Sequence, residues 1–422
     1  QRIQTGLTIV SFFVTLNTLF FYGFVRDGTW LVIAILLIPI YCKVGVTKFF
    51  IGSISFLTTT LILVWVVDHG LPGFFYWEPH YRMVSKDSDG FLIYQKNKDV
   101  EMIQLYGDLR RSAGSQEKFL EYEPRNIKFV TDSIGFRNEH DYRGQSFVLA
   151  GDSFIAGNGV SQEHTLSSIL RTNHKIDTYN LGVGGAGFAD YLHNIEKLER
   201  KTKSAFKVLL FVYEGNDFVD LGPRQKPKPL STLKKLQNIY RIPLNKYKRF
   251  LFKDTGLYQH TYNAYRSTIY RLKGEDRSLI QVREIGNHKI GFHNYHIAPL
   301  SQNSGIPEEF KTKLRSFRTR VTHMFFVPTK YRTYHSFGAS KMSHTFWEAM
   351  LSLGNELGIP VTDLTPALVE AAQKQLTKGR FVFRKDGSHW NEEGIKTAAQ
   401  VVCEAIKEIK CAYEIVSNPS LK

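Results

Sequence analysis

Apolar and polar positions follow three rhythms along these 422 residues. At the amino-terminal end they do not alternate: 7–25 and 49–67 carry no charged residue, and each approaches the roughly 20 residues a helix needs to cross a bilayer. Between them, Thr29 to Cys42 is uncharged but shorter, and it spans, as a helix near 29–46, if Lys43 snorkels to the interface. The pattern therefore predicts a transmembrane anchor over 1–70 with two to three helices, near 7–25, 29–46 and 49–67. From 71 to 145 the pattern is mixed, with short strand-like runs at Phe91 to Tyr94 and Ile127 to Val130, and predicts an accessory segment packed on the main domain. From Ser146 a regular alternation begins. Strand-like runs at 146–150, 177–181, 206–213, 321–327 and 359–363 are separated by helical patterns near 161–171, 188–203, 339–358 and 391–409. Strand and helix in turn predict an α/β domain over 146–412, a parallel five-stranded sheet wrapped on both faces, with a tail at 413–422. One interval breaks the rhythm: 218–320 is a long insertion, and inserts of that length usually carry binding surfaces or lids.

Composition changes this picture in two places. With 43% apolar and 14% aromatic residues the chain can build a large core, and the net charge of +16 points to an acidic partner. No zinc-finger spacing or recognition-helix signature accompanies the charge, so nucleic acid is not expected. Arg224 to Lys253 carries about ten basic residues and almost no acid, interleaved with Leu236, Tyr240, Ile242, Leu244, Tyr247, Phe250 and Leu251. Beside an anchor, such a stretch can rest on anionic lipid headgroups or line a groove for a charged polymer; a solvated loop reads equally well. Arg2, Lys43 and Lys48 on one side of the spans against Arg26 on the other place everything after 67 outside the cytoplasm by the positive-inside rule. Phe74 to Trp77 then fits an interfacial aromatic belt or the core of the next domain. Three cysteines, Cys42, Cys403 and Cys411, make no disulfide framework.

Four stretches carry chemistry, each where a strand ends or a helix begins. Ser146 to Ala150 stops on Gly151 and delivers Ser153 into a strand-to-helix turn, where an open α/β sheet places its chemistry. Gly182-Val-Gly184-Gly185-Ala-Gly187 satisfies Gly-x-Gly-x-x-Gly, but it follows the second strand and meets Arg200 to Lys203 where a dinucleotide site needs an acid. Its other use is to bring a backbone N–H close to a reacting carbonyl. Glu214-Gly215-Asn216-Asp217 ends the third strand, and a buried asparagine amide there can donate to an oxyanion. Asp386-Gly-Ser-His389 precedes the last helix; a carboxylate three residues before a histidine can accept its Nδ1 proton and leave Nε2 as a base. There is no Gly-x-Ser-x-Gly elbow, and neither His-Glu-x-x-His nor paired-cysteine spacing points to a metal. His293 and His296 read as residues of the insertion surface, and no cofactor is expected.

Together, Gly151-Asp152-Ser153, Gly185, Gly215-Asn216-Asp217 and Asp386-x-x-His389 resemble blocks I, II, III and V of the SGNH (GDSL-type) hydrolase superfamily, over roughly 146–412. The resemblance implies a flavodoxin-like, doubly wound sheet. It implies Ser153 as nucleophile, His389 as base, Asp386 orienting it, and an oxyanion hole from the Ser153 and Gly185 N–H groups and the Asn216 amide. Thr131 to Arg137, Phe154 to Val160, Phe326 to Lys330 and His389-Trp390-Asn391 resemble membrane-anchored, extracytoplasmic bacterial members such as the alginate O-acetyltransferase group. The expectation is a serine esterase or O-acyltransferase of the bacterial cytoplasmic membrane, acting from the extracytoplasmic side on short acyl esters, acetyl among them, of an envelope glycan. Two other readings stay open: a lysophospholipase or lipid esterase, and a non-catalytic scaffold contacting membrane protein partners.

Overall fold

The computed structural model describes residues 79–204, 206–217, 278–294, 306, 308–335 and 345–417, with positions 55, 59, 62, 63, 66, 67 and 70. The chain divides into two compact units, Gln1–Leu71 with Pro243–Thr268, and Pro72–Ile242 with Ile269–Lys422. In the first, the described positions are helical and Ile62, Leu63 and Val66 are exposed. Among the described residues no helix is long and apolar enough to cross a membrane. The spans expected at 7–25 and 29–46, most of that at 49–67, the Phe74 to Trp77 cluster and the basic stretch 224–253 lie outside the described residues.

In the second unit the chain opens with two hairpins, β1 (Val84–Lys86) on β2 (Leu92–Tyr94) and β3 (Asp99–Gln104) on β4 (Arg125–Val130), both antiparallel. The central sheet is built from β5 (Phe147–Ala150), β6 (Thr178–Asn180), β7 (Lys207–Tyr213), β10 (Val321–Val327) and β11 (Val361–Asp363). All its pairings are parallel, in the order β11-β10-β7-β5-β6, which is the expected five-stranded sheet. β8 (Ile280–Ile285) and β9 (His288–His293) form a separate antiparallel hairpin inside the insertion.

The pleat sorts side chains onto two cores, because successive residues of a strand face opposite ways. Val148 and Ala150, Val208, Leu210 and Val212, Met324 and Phe326 point to one face. There they meet α3 (Phe188–Thr202), α4 (Glu308–Phe317) and α6 (Thr345–Leu357) through Ile195, Leu314 and Leu353. Phe147 and Leu149, Leu209 and Phe211, Phe325 and Val327 point to the other. They are covered by α2 (Leu166–His174), α5 (Lys330–His335), α7 (Thr365–Leu376) and α8 (Glu392–Ser417) through Leu170, Tyr334, Leu368 and Val402. Helices on both faces make the sheet doubly wound. A single-turn helix, α1 (Ser153–Ala156), sits at the end of β5.

The segment before the sheet is part of the same core: Leu92, Tyr94, Phe129 and Phe136 cluster with Val148 and Tyr179. Arg137, 1% exposed, ties it to the loop that follows α1. The guanidinium donates to the carbonyls of Lys128 (3.0 Å), Ala156 (3.0 Å), Gly157 (2.6 Å) and Val160 (2.8 Å) and to Gln162 Oε1 (3.1 Å). Burial lowers its pKa to about 10, so it is charged at neutral pH. One cation thus holds the turn that follows α1 against β4. Arg137→Met strands these carbonyls in the interior, at roughly 1–3 kcal/mol for each one water cannot reach. The variant should lose at least about 3 kcal/mol of stability in denaturant unfolding.

Candidate active site

Ser153 is delivered by a strand that ends too early to carry it. β5 stops at Ala150, and Asp152 caps α1, its Oδ1 accepting the Phe154 N–H at 2.9 Å. Ser153 is therefore the first residue of a helix, where backbone N–H groups lack intrahelical acceptors. From 236 residues further along, His389 Nε2 comes within 2.8 Å of Ser153 Oγ. Both residues are 8% exposed. The rings of Phe154 and Trp390 pack beside them, with the Phe154 and His389 centroids 5.1 Å apart.

Ser153 Oγ also donates toward Asp152 Oδ2, at 3.2 Å. A hydroxyl has one proton, so the two acceptors compete for it. Burial pushes the Asp152 carboxyl up to about 6. For His389, burial is the largest influence and lowers its pKa; the Asp108 charge raises it, and His293 and Arg125 lower it further.

The turn carrying His389 hangs from a buried lysine. Lys330 Nζ donates to the carbonyls of Arg384 (2.8 Å), Lys385 (3.1 Å) and Gly387 (3.0 Å), and burial lowers its pKa to about 8. The Arg384 N–H donates to His389 O at 3.0 Å and closes the turn. Sequence reasoning picked out Lys330 only as part of a resemblance; that this first residue of α5 bonds to the His389 turn is a tertiary fact.

The oxyanion candidates sit on the turns after β5, β6 and β7, which are neighbouring strands. Gly185 is exposed on the turn after β6. That turn is drawn onto α1 by Asn180, whose Nδ2 donates to Ile155 O (2.8 Å) and whose Oδ1 accepts the Gly182 N–H (2.7 Å). A Cβ on Gly182 would lie 2.3 Å from Ala156 N, so only glycine allows this approach. The spacing that reads as Gly-x-Gly-x-x-Gly thus serves contact between two loops. Asn216 is half-buried in the turn after β7, which Asp217 ties down by accepting from Tyr213 N (2.8 Å) and Tyr191 Oη (2.8 Å). Beside it Glu214 Oε1 accepts from Arg332 Nε at 2.7 Å and Oε2 accepts from Thr329 N at 3.1 Å, joining the ends of β7 and β10.

Asp386 is placed differently from the expectation. Its Oδ2 accepts the N–H groups of Gly107 (2.7 Å) and Glu123 (3.2 Å), and Arg125 Nη1 lies 3.6 Å from its Oδ1. The carboxylate that approaches the base is Asp108, whose Oδ1 is 3.9 Å from His389 Nδ1. Asp108 also accepts the Ser388 N–H at 2.7 Å and the Ser388 hydroxyl. Its Oδ2 is 3.4 Å from His293 Nε2. His293 is therefore no insertion-surface residue: it is 6% exposed at the end of β9 and faces the site. His296 lies outside the described residues. The Gly107-Asp108 pair carries no recognisable spacing to His389, and so escaped sequence reasoning.

Among the described residues one cluster has metal-ligand composition, Asp87, Asp89 and His193. Lys197 Nζ lies 2.8 Å from Asp87 Oδ2 and already supplies the positive charge there.

No protein-family model and no curated protein matches the sequence. A solved structure described as a lipolytic protein of the G-D-S-L family, from Desulfitobacterium hafniense DCB-2, aligns over 62% of this chain and 98% of its own, at 14% identity and a TM-score of 0.31. A second solved structure aligns over 63% and 99%, at 13% identity and a TM-score of 0.29. Likenesses of this size carry no weight beside the sheet order and the contacts of Ser153.

Replacing Lys330 by methionine keeps the apolar stem and removes the donors, leaving three inward carbonyls without a cation. A loss of about 2–3 kcal/mol in stability is expected, read by thermal melting at fixed pH. Labelling of Ser153 by a fluorophosphonate should slow at least about tenfold, because small displacements of a base cost rate steeply.

Proposed function

We propose that the protein is a serine esterase of the SGNH type, with Ser153 as nucleophile and His389 as general base. One observation carries this reading: the 2.8 Å contact between Ser153 Oγ and His389 Nε2 at the carboxyl edge of a parallel sheet. A serine hydroxyl is a weak nucleophile until a base takes its proton, and Nε2 is within reach to do so. Ser153 Oγ attacks an ester carbonyl as its proton passes to Nε2. The negative charge that develops on the carbonyl oxygen falls to the Ser153 and Gly185 N–H groups and the Asn216 amide. His389 then protonates the departing alkoxide, leaving an acyl group on Ser153. A water or a sugar hydroxyl, deprotonated by the same nitrogen, releases it.

The substrate we infer is a short acyl ester, acetyl above all, on an extracytoplasmic envelope glycan. The low exposure of Ser153 and His389 and the aromatic rings of Phe154 and Trp390 support a narrow approach suited to a small acyl group. The uncharged runs 7–25 and 49–67 and the charge bias of their flanks support anchoring in a bacterial cytoplasmic membrane with the catalytic unit outside. The glycan is suggested only by the resemblance of the blocks around 131–137, 154–160 and 326–330 to extracytoplasmic bacterial members of the superfamily.

Aryl esters of increasing acyl length test the proposal on the full-length protein. Turnover should fall steadily beyond acetyl and propionyl, and a preference for long chains would replace the glycan ester with a lipid. Ser153→Ala and His389→Ala should each lose about 10³–10⁶ of the rate, and the double variant little more, since the two act as a unit. His389 accepts a proton only when neutral, and burial lowers its pKa below 6.5. The acidic limb of the rate should therefore lie at lower pH than an unperturbed imidazole would give.

A further inference from the structure

We propose that Asp108, from the segment ahead of the sheet, is the carboxylate that positions His389, and that Asp386 instead builds the socket in which Asp108 is held. This rests on Ser153 and His389 acting as nucleophile and base. Asp386 spends Oδ2 on the N–H groups of Gly107 and Glu123, and its backbone carbonyl accepts the Leu109 N–H at 3.2 Å. Both its side chain and its main chain therefore grip the residues that flank Asp108. The fit has no slack: a Cβ on Gly107 would lie 2.1 Å from Asp386 O. Asp108, so held, reaches over the turn and meets the far side of the imidazole from Ser153. Its Oδ1 is 3.9 Å from Nδ1, and Ser388, which donates to Asp108 through both N–H and hydroxyl, has its Oγ 3.5 Å from the same nitrogen.

The charge of Asp108 is maintained by an element the sequence places far away. The 3₁₀ turns Asp108–Ser112 and Gly114–Phe119 pack on the β8–β9 hairpin, where Leu109, Ala113 and Ile280 form a small core of their own. Leu279 N–H donates to Ser112 O at 2.9 Å, and His293 closes on Asp108 Oδ2. Burial pushes the Asp108 carboxyl up, but the His293 hydrogen bond, the charges of His389 and His293, and Ser388 outweigh it and hold it well below the usual carboxylate range. At 3.9 Å Asp108 acts on the imidazole through its charge, which favours the imidazolium that forms as Ser153 attacks, while Ser388 Oγ, its proton given to Asp108, is left to accept from Nδ1. Among the described residues, Arg125 on β4, His293 on β9, His80 and, through Ser153, Asp152 are further ionisable groups around His389.

The test compares Asp108→Asn with Asp386→Asn in the full-length protein, by the pH dependence of fluorophosphonate labelling of Ser153 and by NMR titration of the His389 imidazole, assigned with His389→Gln. Asp108 raises the His389 pKa, so its neutralisation should move the His389 midpoint, and with it the acidic limb of labelling, to lower pH. Labelling on the plateau should slow by up to about 10⁴-fold, as expected where such a carboxylate is lost. Asp386→Asn, whose amide oxygen still accepts both N–H groups, should lower thermal stability but leave the midpoint where it is. An unmoved midpoint in Asp108→Asn, or a shift produced by Asp386→Asn alone, overturns the proposal. Because the NMR midpoint needs no turnover, it answers even if wild type labels no faster than Ser153→Ala, a result that would sink the esterase reading instead.

Discussion

The hydrogen bond between Ser153 and His389 joins two turns that the chain keeps 236 residues apart, and several buried ions hold those turns still. Buried ions here bond mainly to backbone. Arg137 grips the turn after Ser153 through three carbonyls and ties it to β4 through a fourth, Lys330 grips the turn before His389 through three, and Asp386 and Asp217 accept main-chain N–H groups. A charge bonded to peptide groups is worth more than a neutral contact and fixes direction as well as distance. It also replaces secondary structure where none can form. Loops at a crevice have peptide groups with no ladder to join, and a buried ion satisfies several at once.

This arrangement explains why the site is built from parts outside the sheet. The sheet and its helices bring Ser153, Gly185 and Asn216 to one edge, since β6, β5 and β7 are adjacent and parallel. They do not bring a carboxylate to His389 Nδ1. That comes from the 3₁₀ turn at Asp108, braced from behind by the hairpin at 280–293. The segment ahead of the sheet and the insertion within it thus pack on each other beside the base. Without either, Asp108 would lose its His293 contact or its Leu109, Ala113 and Ile280 packing, and the imidazole would lose the neighbour that favours its protonated form.

Much of the fold was legible in the residues themselves. Val148 and Ala150 against Phe147 and Leu149, repeated in β7 and β10, is a period-two pattern apolar on both faces, and that pattern belongs to a strand buried between two helical layers. The expected strands all form, within two residues at each end. Short helices were missed, α1, α5 and α7 among them, because one to three turns between strands leave little periodicity to count. α8 runs on to Ser417, beyond the expected 409. For the site, a serine in a strand-to-helix turn and a histidine ahead of a final helix were both readable, since each is a local feature with a known place in an α/β sheet.

The partner of that histidine was not readable. Asp386-x-x-His389 places a carboxylate near the imidazole along the chain, but which way it turns depends on what else competes for it. Two N–H groups from Gly107 and Glu123 arrive there, and His293, expected on a surface, arrives beside Asp108. Local sequence determined the strands, the two faces of the sheet and the turns that carry Ser153 and His389, because periodicity and turn chemistry act over a few residues. Only the tertiary structure decided which carboxylate meets which nitrogen, because hydrogen-bond partners are chosen among groups that burial brings together, whatever their separation along the chain.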